Sequence, residues 1–221
     1  MSKHIYMISG LGADGRVFGN LEFPPGYEAH YLPWIKPADA NEPIEAYAAR
    51  MVESIKHENP ILLGLSFGGI MCVEIARQLN AEKVILLSSI KHRKERPPYY
   101  SYNLLSKFIL KKMPDRLLFG RRQVIVEYFL QTESEFELAL LREYLGKKDY
   151  AYTRWALSTI LQWKNEWMPQ SVVHIHGTKD RPFPIRYLQP THRIDGGGHF
   201  MVLNRAAQIN LILKESLQAV L

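Results

Sequence analysis

Ser66 is the residue of this 221-residue sequence that is best placed to act as a nucleophile. It lies in the pentapeptide Gly64-Leu65-Ser66-Phe67-Gly68, which has the pattern G-x-S-x-G. The apolar run 61–65 before it predicts a strand, and the helical periodicity of 70–79 predicts a helix after it. A sharp turn between the two would expose the serine hydroxyl, and side chains at Gly64 and Gly68 would collide with neighbouring backbone. We therefore predict that Ser66 is presented on such a turn.

A serine hydroxyl needs an imidazole to take its proton and a carboxylate to hold that imidazole in one tautomer. His199 is the candidate base because it follows three glycines, 196–198, which predict a loop after the last strand. Asp180 is the candidate acid because it comes just past the strand predicted at 172–176, and Asp195 is the alternative. The other seven histidines fall on predicted strands, at their edges or at a helix end, where structural roles are the ordinary explanation.

A developing oxyanion needs two amide hydrogens aimed at it. We predict that the backbone amide of Phe67, directly after the candidate nucleophile, donates the first hydrogen bond. The backbone amide of Leu11, in the glycine-rich loop 9–15, is predicted to donate the second. The spacing Gly10-x-Gly12-x-x-Gly15 also matches a dinucleotide fingerprint. Such a site requires an acidic residue at the end of the next strand, and 31–34 contains none. We therefore predict no nicotinamide cofactor.

Metal and redox chemistry receive little support from the sequence. His174 and His176 share one face of a predicted strand, but no third ligand stands at a convincing spacing, so we predict no metal and no cofactor. Cys72 is the one cysteine, which excludes an intramolecular disulfide.

The elements that must position these residues alternate between strand and helix patterns, which is typical of a parallel sheet. Helical periodicity predicts three helices outside the insertion: one at 44–55, one at 70–79 after Ser66, and a final one that contains Ile209 to Leu217. Six strands are predicted, at Ile5–Ser9, Tyr27–Leu32, Ile61–Leu65, Val84–Ser88, Val172–His176 and His192–Ile194.

A basic, aromatic-rich insertion separates the fourth predicted strand from the fifth. Residues 91–165 hold 15 Lys and Arg against 8 Asp and Glu, a net charge of +7, whereas the rest of the chain holds 13 against 14. Thr132-x-x-Glu135 predicts a capping box for its third helix, and Asp149 predicts a cap for its fourth. The predicted helices are Tyr102–Lys112, Gln123–Leu130, Phe136–Leu145 and Ala151–Trp163.

The insertion's charge has two interpretations, a solvated helix surface or a docking site for an anionic, carrier-linked substrate. The residues concerned are Arg93, Lys94, Arg96, Lys111, Lys112, Arg121 and Arg122.

Length and composition exclude several other classes of protein. At 25.6 kDa the chain fits a single domain, 1–221, with a helical lid, 91–168, inserted in it. With 47% hydrophobic and 23% charged residues it is expected to fold. No apolar run approaches the roughly 20 residues of a membrane span, and the first ten residues lack a signal-peptide core, so we predict a cytoplasmic protein. The net charge of +6 accompanies no nucleic-acid motif, so no nucleic-acid partner is expected.

From Ile5 to the final helix the chain resembles the α/β-hydrolase superfamily, because Ser66, Asp180 and His199 follow one another in that family's order. The resemblance implies a doubly wound, mostly parallel six-stranded sheet with an inserted helical lid, and with the family's N-terminal hairpin missing. The sequence also departs from the family at Ser9-Gly10, where His-Gly is often found before the oxyanion loop.

The function implied is that of a serine esterase that acts on a small-molecule carboxylic ester or thioester. The substrate could also be an anionic ester or one linked to a carrier. A lyase or C–C bond hydrolase using the same three residues is the alternative, since one fold hosts many chemistries. A member that binds its ligand without turnover is the third hypothesis.

Overall fold

The computed structural model describes residues 2–100, 104–115, 117 and 122–218. Its centre is one six-stranded sheet in which all five neighbouring pairs of strands are parallel and the order is β2-β1-β3-β4-β5-β6. The strands are β1 Lys3–Ile8, β2 Tyr27–Tyr31, β3 Ile61–Leu65, β4 Lys83–Leu87, β5 Val172–Gly177 and β6 His192–Ile194. The predicted six-stranded parallel sheet is therefore confirmed, with strand ends displaced by one or two residues.

Helices cover both faces of the sheet because the central strands are apolar on both sides. Helices α1 (Ile44–Val52) and α2 (Phe67–Ala76) pack on the face that contains Leu62 and Leu86. Helix α8 (Ala206–Gln218), which follows the short α7 (Met201–Asn204), packs on the opposite face through Ile209, Leu213 and Leu217. The sheet is thus doubly wound, and the carboxyl ends of its strands open on the same edge.

Between β4 and β5, the described residues include four helices of nine residues or more, close to the positions predicted for this segment. They are α3 Leu104–Lys112, α4 Arg122–Leu130, α5 Glu135–Gly146 and α6 Tyr150–Gln162. The Tyr102 start predicted for α3 lies outside the described residues. We refer to residues 91–168 as the helical segment. No helix among the described residues is long and apolar enough to cross a membrane.

The two helix caps predicted in the helical segment had different outcomes. Asp149 caps α6 as expected, by accepting a hydrogen bond from the Tyr152 amide at 3.0 Å. The capping box predicted at Thr132 and Glu135 is wrong, because Ser134 is the N-cap of α5 and accepts from the Glu137 amide at 3.2 Å. A serine and a glutamate at the same three-residue spacing lie two positions further along, so the sequence offered two overlapping boxes.

Tryptophans of the helical segment anchor it to the face of the sheet that carries α1 and α2. The Trp155 indole is buried against Phe67 at a centroid distance of 5.8 Å and donates to the Glu42 carbonyl at 2.9 Å. Trp163 donates to the buried carboxylate of Glu74 at 2.7 Å. These contacts fix α6 directly above the start of α2.

Candidate active site

Ser66 joins β3 to α2 in a backbone conformation that is unusual for a residue with a side chain. Its φ is 53° and its ψ is −118°, in a region that costs a non-glycine residue about 1–3 kcal/mol. Two hydrogen bonds hold the strained residue: the Ser66 amide donates to Leu87 O at 2.9 Å, and the Ser89 hydroxyl donates to Ser66 O at 2.6 Å. The predicted sharp turn is therefore present.

Gly64 and Gly68 have no space for a side chain. A Cβ at Gly64 would lie 2.4 Å from the Gly68 carbonyl oxygen, and a Cβ at Gly68 would lie 2.1 Å from Ile8 O and 2.5 Å from Ser9 O. All of these neighbours are backbone atoms, which cannot rotate away as a side chain could. The glycines therefore let the start of α2 close onto the end of β1, where the glycine-rich loop begins.

We expect Gly68→Ala to destabilise the protein by about 3 kcal/mol, a fall of roughly 6–12 °C in Tm, because its methyl group would overlap Ile8 O. Thermal unfolding followed by circular dichroism measures this. The matched control is Gly146→Ala, since a Cβ at the exposed Gly146 at the end of α5 meets nothing within 4 Å. A Tm for Gly68→Ala equal to that of the control would show that the turn between β3 and α2 is not close-packed.

Ser66, His199 and Asp180 form one chain of hydrogen bonds. His199 Nε2 lies 2.8 Å from Ser66 Oγ, and His199 Nδ1 lies 2.7 Å from Asp180 Oδ2. Because an ionised carboxylate only accepts, Nδ1 carries the proton and Nε2 is free to accept the serine proton. The other carboxylate oxygen, Oδ1, accepts from the Phe183 amide at 2.7 Å. His199 is 5% and Asp180 is 3% exposed, so this chain is shielded from water.

Two adjacent loops, after β5 and after β6, bring Asp180 and His199 together. The Lys179 amide donates to Gly197 O at 2.9 Å, which joins the loops directly. Gly177 permits the approach, because a Cβ there would lie 2.2 Å from Gly197 O. The neighbouring positions of β5 and β6 in the sheet thus set the spacing of the acid and the base.

Asp195, the alternative acid, points elsewhere. Its carboxylate is exposed and accepts from the Thr178 hydroxyl at 3.1 Å. The Thr178 hydroxyl in turn accepts from the Gly196 amide at 2.9 Å. Asp195 therefore stabilises the loop that carries His199, while Asp180 contacts the imidazole itself.

The two predicted oxyanion donors lie on the loops that flank Ser66. Phe67 is the first residue of α2, and first-turn amides of a helix have no intrahelical partner. Leu11 follows Gly10, whose constructed Cβ would lie 3.5 Å from Ser66 Cβ. No described residue accepts a hydrogen bond from either amide. Both amides therefore remain available to an anionic oxygen.

Ser9 stands where a histidine is often found before this loop, and its hydroxyl ties the loop together. Ser9 Oγ donates to Ala13 O at 2.9 Å and accepts from the Tyr31 hydroxyl at 3.1 Å. Trp34 adds a further tie by donating from its indole nitrogen to Gly10 O at 3.3 Å. These bonds position the Leu11 amide without a histidine.

Aromatic side chains surround the Ser66 turn, and the sequence did not single them out as a group. Trp34 stacks on Phe67 at 4.9 Å, and Tyr152 of α6 lies 5.7 Å from Trp34. The Tyr152 hydroxyl is buried and has no hydrogen-bond partner among the described residues. On the other side, Phe183 lies 5.9 Å from His199. The surroundings of the Ser66 turn are therefore largely aromatic, and they include one buried hydroxyl without a described partner.

His174 and His176 have the structural roles expected of strand histidines. His174 Nε2 donates to Ser89 O at 3.0 Å, and His176 Nε2 donates to Phe183 O at 2.8 Å. Burial lowers the pKa of both imidazoles below the ordinary histidine value. His176 Nε2 also lies 3.5 Å from Asp180 Oδ2, so it packs beneath the acid.

Part of the helical segment's positive charge is engaged within the protein. Arg96 is half-buried and donates to carbonyls at the end of α6, including Trp163 O at 3.1 Å, where cations complement the helix dipole. Arg93 pairs with Glu166. Lys94 and Lys112 are exposed. Of the other predicted docking residues, Arg121 and the side chains of Lys111 and Arg122 lie outside the described part of the chain.

A second group of basic residues, which the sequence did not indicate, borders the site itself. Lys179, Arg181 and Arg186 are exposed and line a groove of about 460 Å³ that also contacts Asp180. The Arg181 guanidinium lies over the Tyr128 ring at 4.0 Å and donates to Tyr128 O. The groove therefore has a basic rim beside an aromatic surface.

Comparisons with known proteins agree with this architecture. A family model described as the alpha/beta hydrolase family matches residues 6–210. No curated protein matches the sequence. Several solved structures share the fold at low identity, which supports the fold and not the reaction.

A bromoperoxidase from Bacillus anthracis is 16% identical, with a TM-score of 0.71 over 99% of this chain and 92% of its own. The N-acyl homoserine lactonase AidH is 15% identical, with a TM-score of 0.70 over 96% of this chain and 87% of its own. An epoxide hydrolase from metagenomes of hot environments is 12% identical, with a TM-score of 0.70 over 98% of this chain and 91% of its own.

Proposed function

The chain belongs to the alpha/beta hydrolase family, and from this premise we propose that it is a serine hydrolase that cleaves carboxylic esters or thioesters. The observation that carries the proposal is the unbroken hydrogen-bond chain from Ser66 Oγ through His199 to Asp180, with distances of 2.8 and 2.7 Å. This arrangement activates a hydroxyl for attack on a carbonyl carbon.

In the first half of the reaction, His199 Nε2 takes the Ser66 proton while Oγ bonds to the carbonyl carbon. The carbonyl oxygen becomes an oxyanion, which accepts hydrogen bonds from the Leu11 and Phe67 amides. The carbon–oxygen or carbon–sulfur bond to the leaving group then breaks, and His199 gives its proton to the departing alcohol or thiol. Asp180 remains ionised throughout and stabilises the imidazolium.

In the second half, a water molecule replaces the leaving group. His199 takes a proton from this water as its oxygen attacks the acyl carbon on Ser66. Collapse of the second tetrahedral intermediate returns the proton to Ser66 Oγ and releases the carboxylic acid. The same two amides stabilise both intermediates, since the oxyanion forms at the same place.

The helical segment is proposed as a lid that supplies the substrate pocket. Its α6 lies over the start of α2, and its Tyr152 lies against Trp34 beside the nucleophile turn. The apolar wall would bury an acyl or alcohol chain, and the unpartnered Tyr152 hydroxyl would donate to a polar group on it.

An anionic substrate is better supported by the groove beside Asp180 than by the helical segment. Arg96 is bonded to the end of α6 and Arg93 is paired with Glu166, whereas the charges of Lys179, Arg181 and Arg186 have no acidic partner among the contacts described and lie at the groove rim. A small ester with a negative group is therefore favoured over a carrier that docks on the helical segment.

The alternative is a lyase or a C–C bond hydrolase with the same three residues, since the similar structures include a lactonase, a bromoperoxidase and an epoxide hydrolase. A member that binds without turnover is less supported, because the hydrogen-bond chain of Ser66, His199 and Asp180 would have no role in binding alone.

A series of p-nitrophenyl esters of increasing acyl length tests the proposal. We expect stoichiometric release of nitrophenol and carboxylic acid, with kcat/KM reaching a maximum at one chain length because the aromatic wall closes the pocket. Product analysis by mass spectrometry identifies the reaction. Acid and nitrophenol in equal amounts support hydrolysis, whereas the absence of turnover with every ester of the series would contradict the proposal.

A further inference from the structure

Three histidines far apart in the sequence meet on the sheet face that carries α1. His4 lies at the amino end of β1, His30 lies on the neighbouring edge strand β2, and His57 lies in the connection from α1 to β3. All three are half-buried. We call them the histidine cluster. Nothing in the proposed reaction uses them, because Ser66 and the oxyanion loop lie at the opposite, carboxyl ends of β3 and β1.

The imidazoles of the histidine cluster are in direct contact with one another. His4 Nδ1 lies 3.0 Å from His30 Nε2. The His4 and His57 rings stack at a centroid distance of 3.4 Å and an angle of 10°. One ring nitrogen of each histidine lies within 4.8 Å of one from each of the other two.

We propose that the histidine cluster binds one divalent transition-metal ion such as Zn²⁺. Imidazole nitrogen is a preferred ligand of Zn²⁺, Ni²⁺ and Cu²⁺, and three such nitrogens converge here. Ligand atoms of a tetrahedral zinc ion with 2.0–2.1 Å bonds are about 3.3 Å apart. The His4 and His30 nitrogens are already close to that separation, and binding would require the stacked His4 and His57 rings to turn apart until their nitrogens point at the same ion.

Tyr6 supplies the outer support that metal-binding histidines usually have. Its hydroxyl lies 2.8 Å from His57 Nδ1, which leaves Nε2 of His57 for the metal, and it accepts from the Lys56 amide at 2.9 Å. A hydroxyl oxygen has two lone pairs, so it can accept from both Lys56 and a protonated Nδ1. With Nδ1 protonated in this way, the Nε2 lone pair of His57 is free for a metal.

Glu28 is placed to complete the coordination. It is opposite His4 in the register of β1 and β2, and its Oε2 lies 3.8 Å from His4 Nδ1. Its side chain is 56% exposed, so it can move toward the ion without losing buried contacts. With the Glu28 carboxylate as fourth ligand, no coordination position would remain open for water, and closed four-coordinate zinc sites stabilise a fold rather than catalyse a reaction.

The proposed metal site would stabilise the fold and would take no part in the ester hydrolysis proposed above. A bound ion would join the edge strand β2 to β1 and to the connection before β3, adding to the strand pairing, the ring contacts and the hydrogen bonds of Tyr6 that already hold these three pieces of chain together. We therefore expect the ion to raise stability and to leave ester turnover unchanged. The sequence predicted no metal because His174 and His176, which share one face of a predicted strand, lack a third ligand. The histidine cluster is assembled from three separate segments, so no local spacing indicates it.

The test is a titration of the chelator-treated, full-length protein with Zn²⁺ in competition with a chromogenic chelator. Wild-type protein is expected to bind one equivalent, and its Tm is expected to rise with Zn²⁺ because the ion binds the folded state alone. His30→Gln and His57→Gln should each weaken binding by more than about tenfold and lose the rise in Tm. The matched control is His192→Gln, on the opposite edge strand β6, which should bind as wild type does.

Co²⁺ provides a spectroscopic signature, because tetrahedral Co²⁺ absorbs strongly in the visible range. The signal should develop in wild type and in His192→Gln and be absent from a folded His30→Gln protein, with folding checked by circular dichroism. Equal affinity of wild type and the two cluster variants would overturn the proposal. So would a wild-type protein that binds no Zn²⁺, since the histidine cluster would then be a packing arrangement.

Discussion

Replacement of Ser66 by alanine is expected to abolish labelling by a fluorophosphonate and to lower ester turnover by about 10⁶-fold. The reason is that, in the proposed mechanism, Ser66 Oγ both attacks the carbonyl and passes its proton to His199 Nε2, 2.8 Å away. Intact-protein mass spectrometry measures the label, and kcat for the preferred ester measures turnover. Label on wild-type protein at a residue other than Ser66 would contradict the assignment.

Two further variants separate the chemistry of Ser66 from its place in the fold. Ser54→Ala, at an exposed serine, should label and turn over as wild type does. Ser66→Gly should be as inactive as Ser66→Ala but should unfold at a higher temperature, because glycine tolerates a φ of 53°. Equal Tm values for the alanine and glycine variants would mean that the turn stores no backbone strain.

Asp180→Asn is expected to lower kcat by about 10⁴-fold while leaving the fold and the KM nearly unchanged. Asparagine can present a donor to His199 Nδ1, which would turn the imidazole into the tautomer that cannot accept the Ser66 proton. Steady-state kinetics with the preferred ester measure the loss. Circular dichroism establishes that the variant remains folded.

Asp195→Asn is the matched control, because it makes the same change on the neighbouring loop. Its carboxylate bonds to the Thr178 hydroxyl at 3.1 Å, which an asparagine oxygen can also accept. We expect turnover within about threefold of wild type, as for a surface substitution. The opposite ranking of the two variants would transfer the role of acid to Asp195.

Local patterns in the sequence were sufficient to predict the sheet and the segment between its fourth and fifth strands. Runs of five or six residues marked five of the strands, the short His192–Ile194 marked the sixth, and amphipathic periodicity marked the helices. The family resemblance, carried by the order of Ser66, Asp180 and His199, is confirmed by the match over residues 6–210. These features are local or follow chain order, so a linear sequence contains them.

Helix ends were predicted less well, because several residues compete for each one. Asp149 caps α6 as predicted, whereas Ser134 caps α5 in place of the predicted Thr132. Helix α1 also ends at Val52, three residues before the last apolar position of its predicted pattern. A side chain caps a helix only where the backbone turns, and the turn depends on what the helix packs against.

Contacts between distant parts of the chain were decided by the tertiary structure alone. Asp180 and Asp195 both follow a strand and were both candidates, and the pairing of β5 with β6 put the former beside His199. The charge of Arg96 became part of a helix end, although it had been counted among docking residues.

The sequence by itself thus determined the element types, the parallel sheet and the residues that can do chemistry. The tertiary structure decided which of those residues meet. His4, His30 and His57 show the difference most clearly, because each has an ordinary position at a strand or helix edge and the cluster exists only through β1–β2 pairing and the path of the chain after α1. Periodicity reports which face of an element is buried, whereas side-chain contacts between elements depend on strand order, register and loop path, which no local pattern encodes.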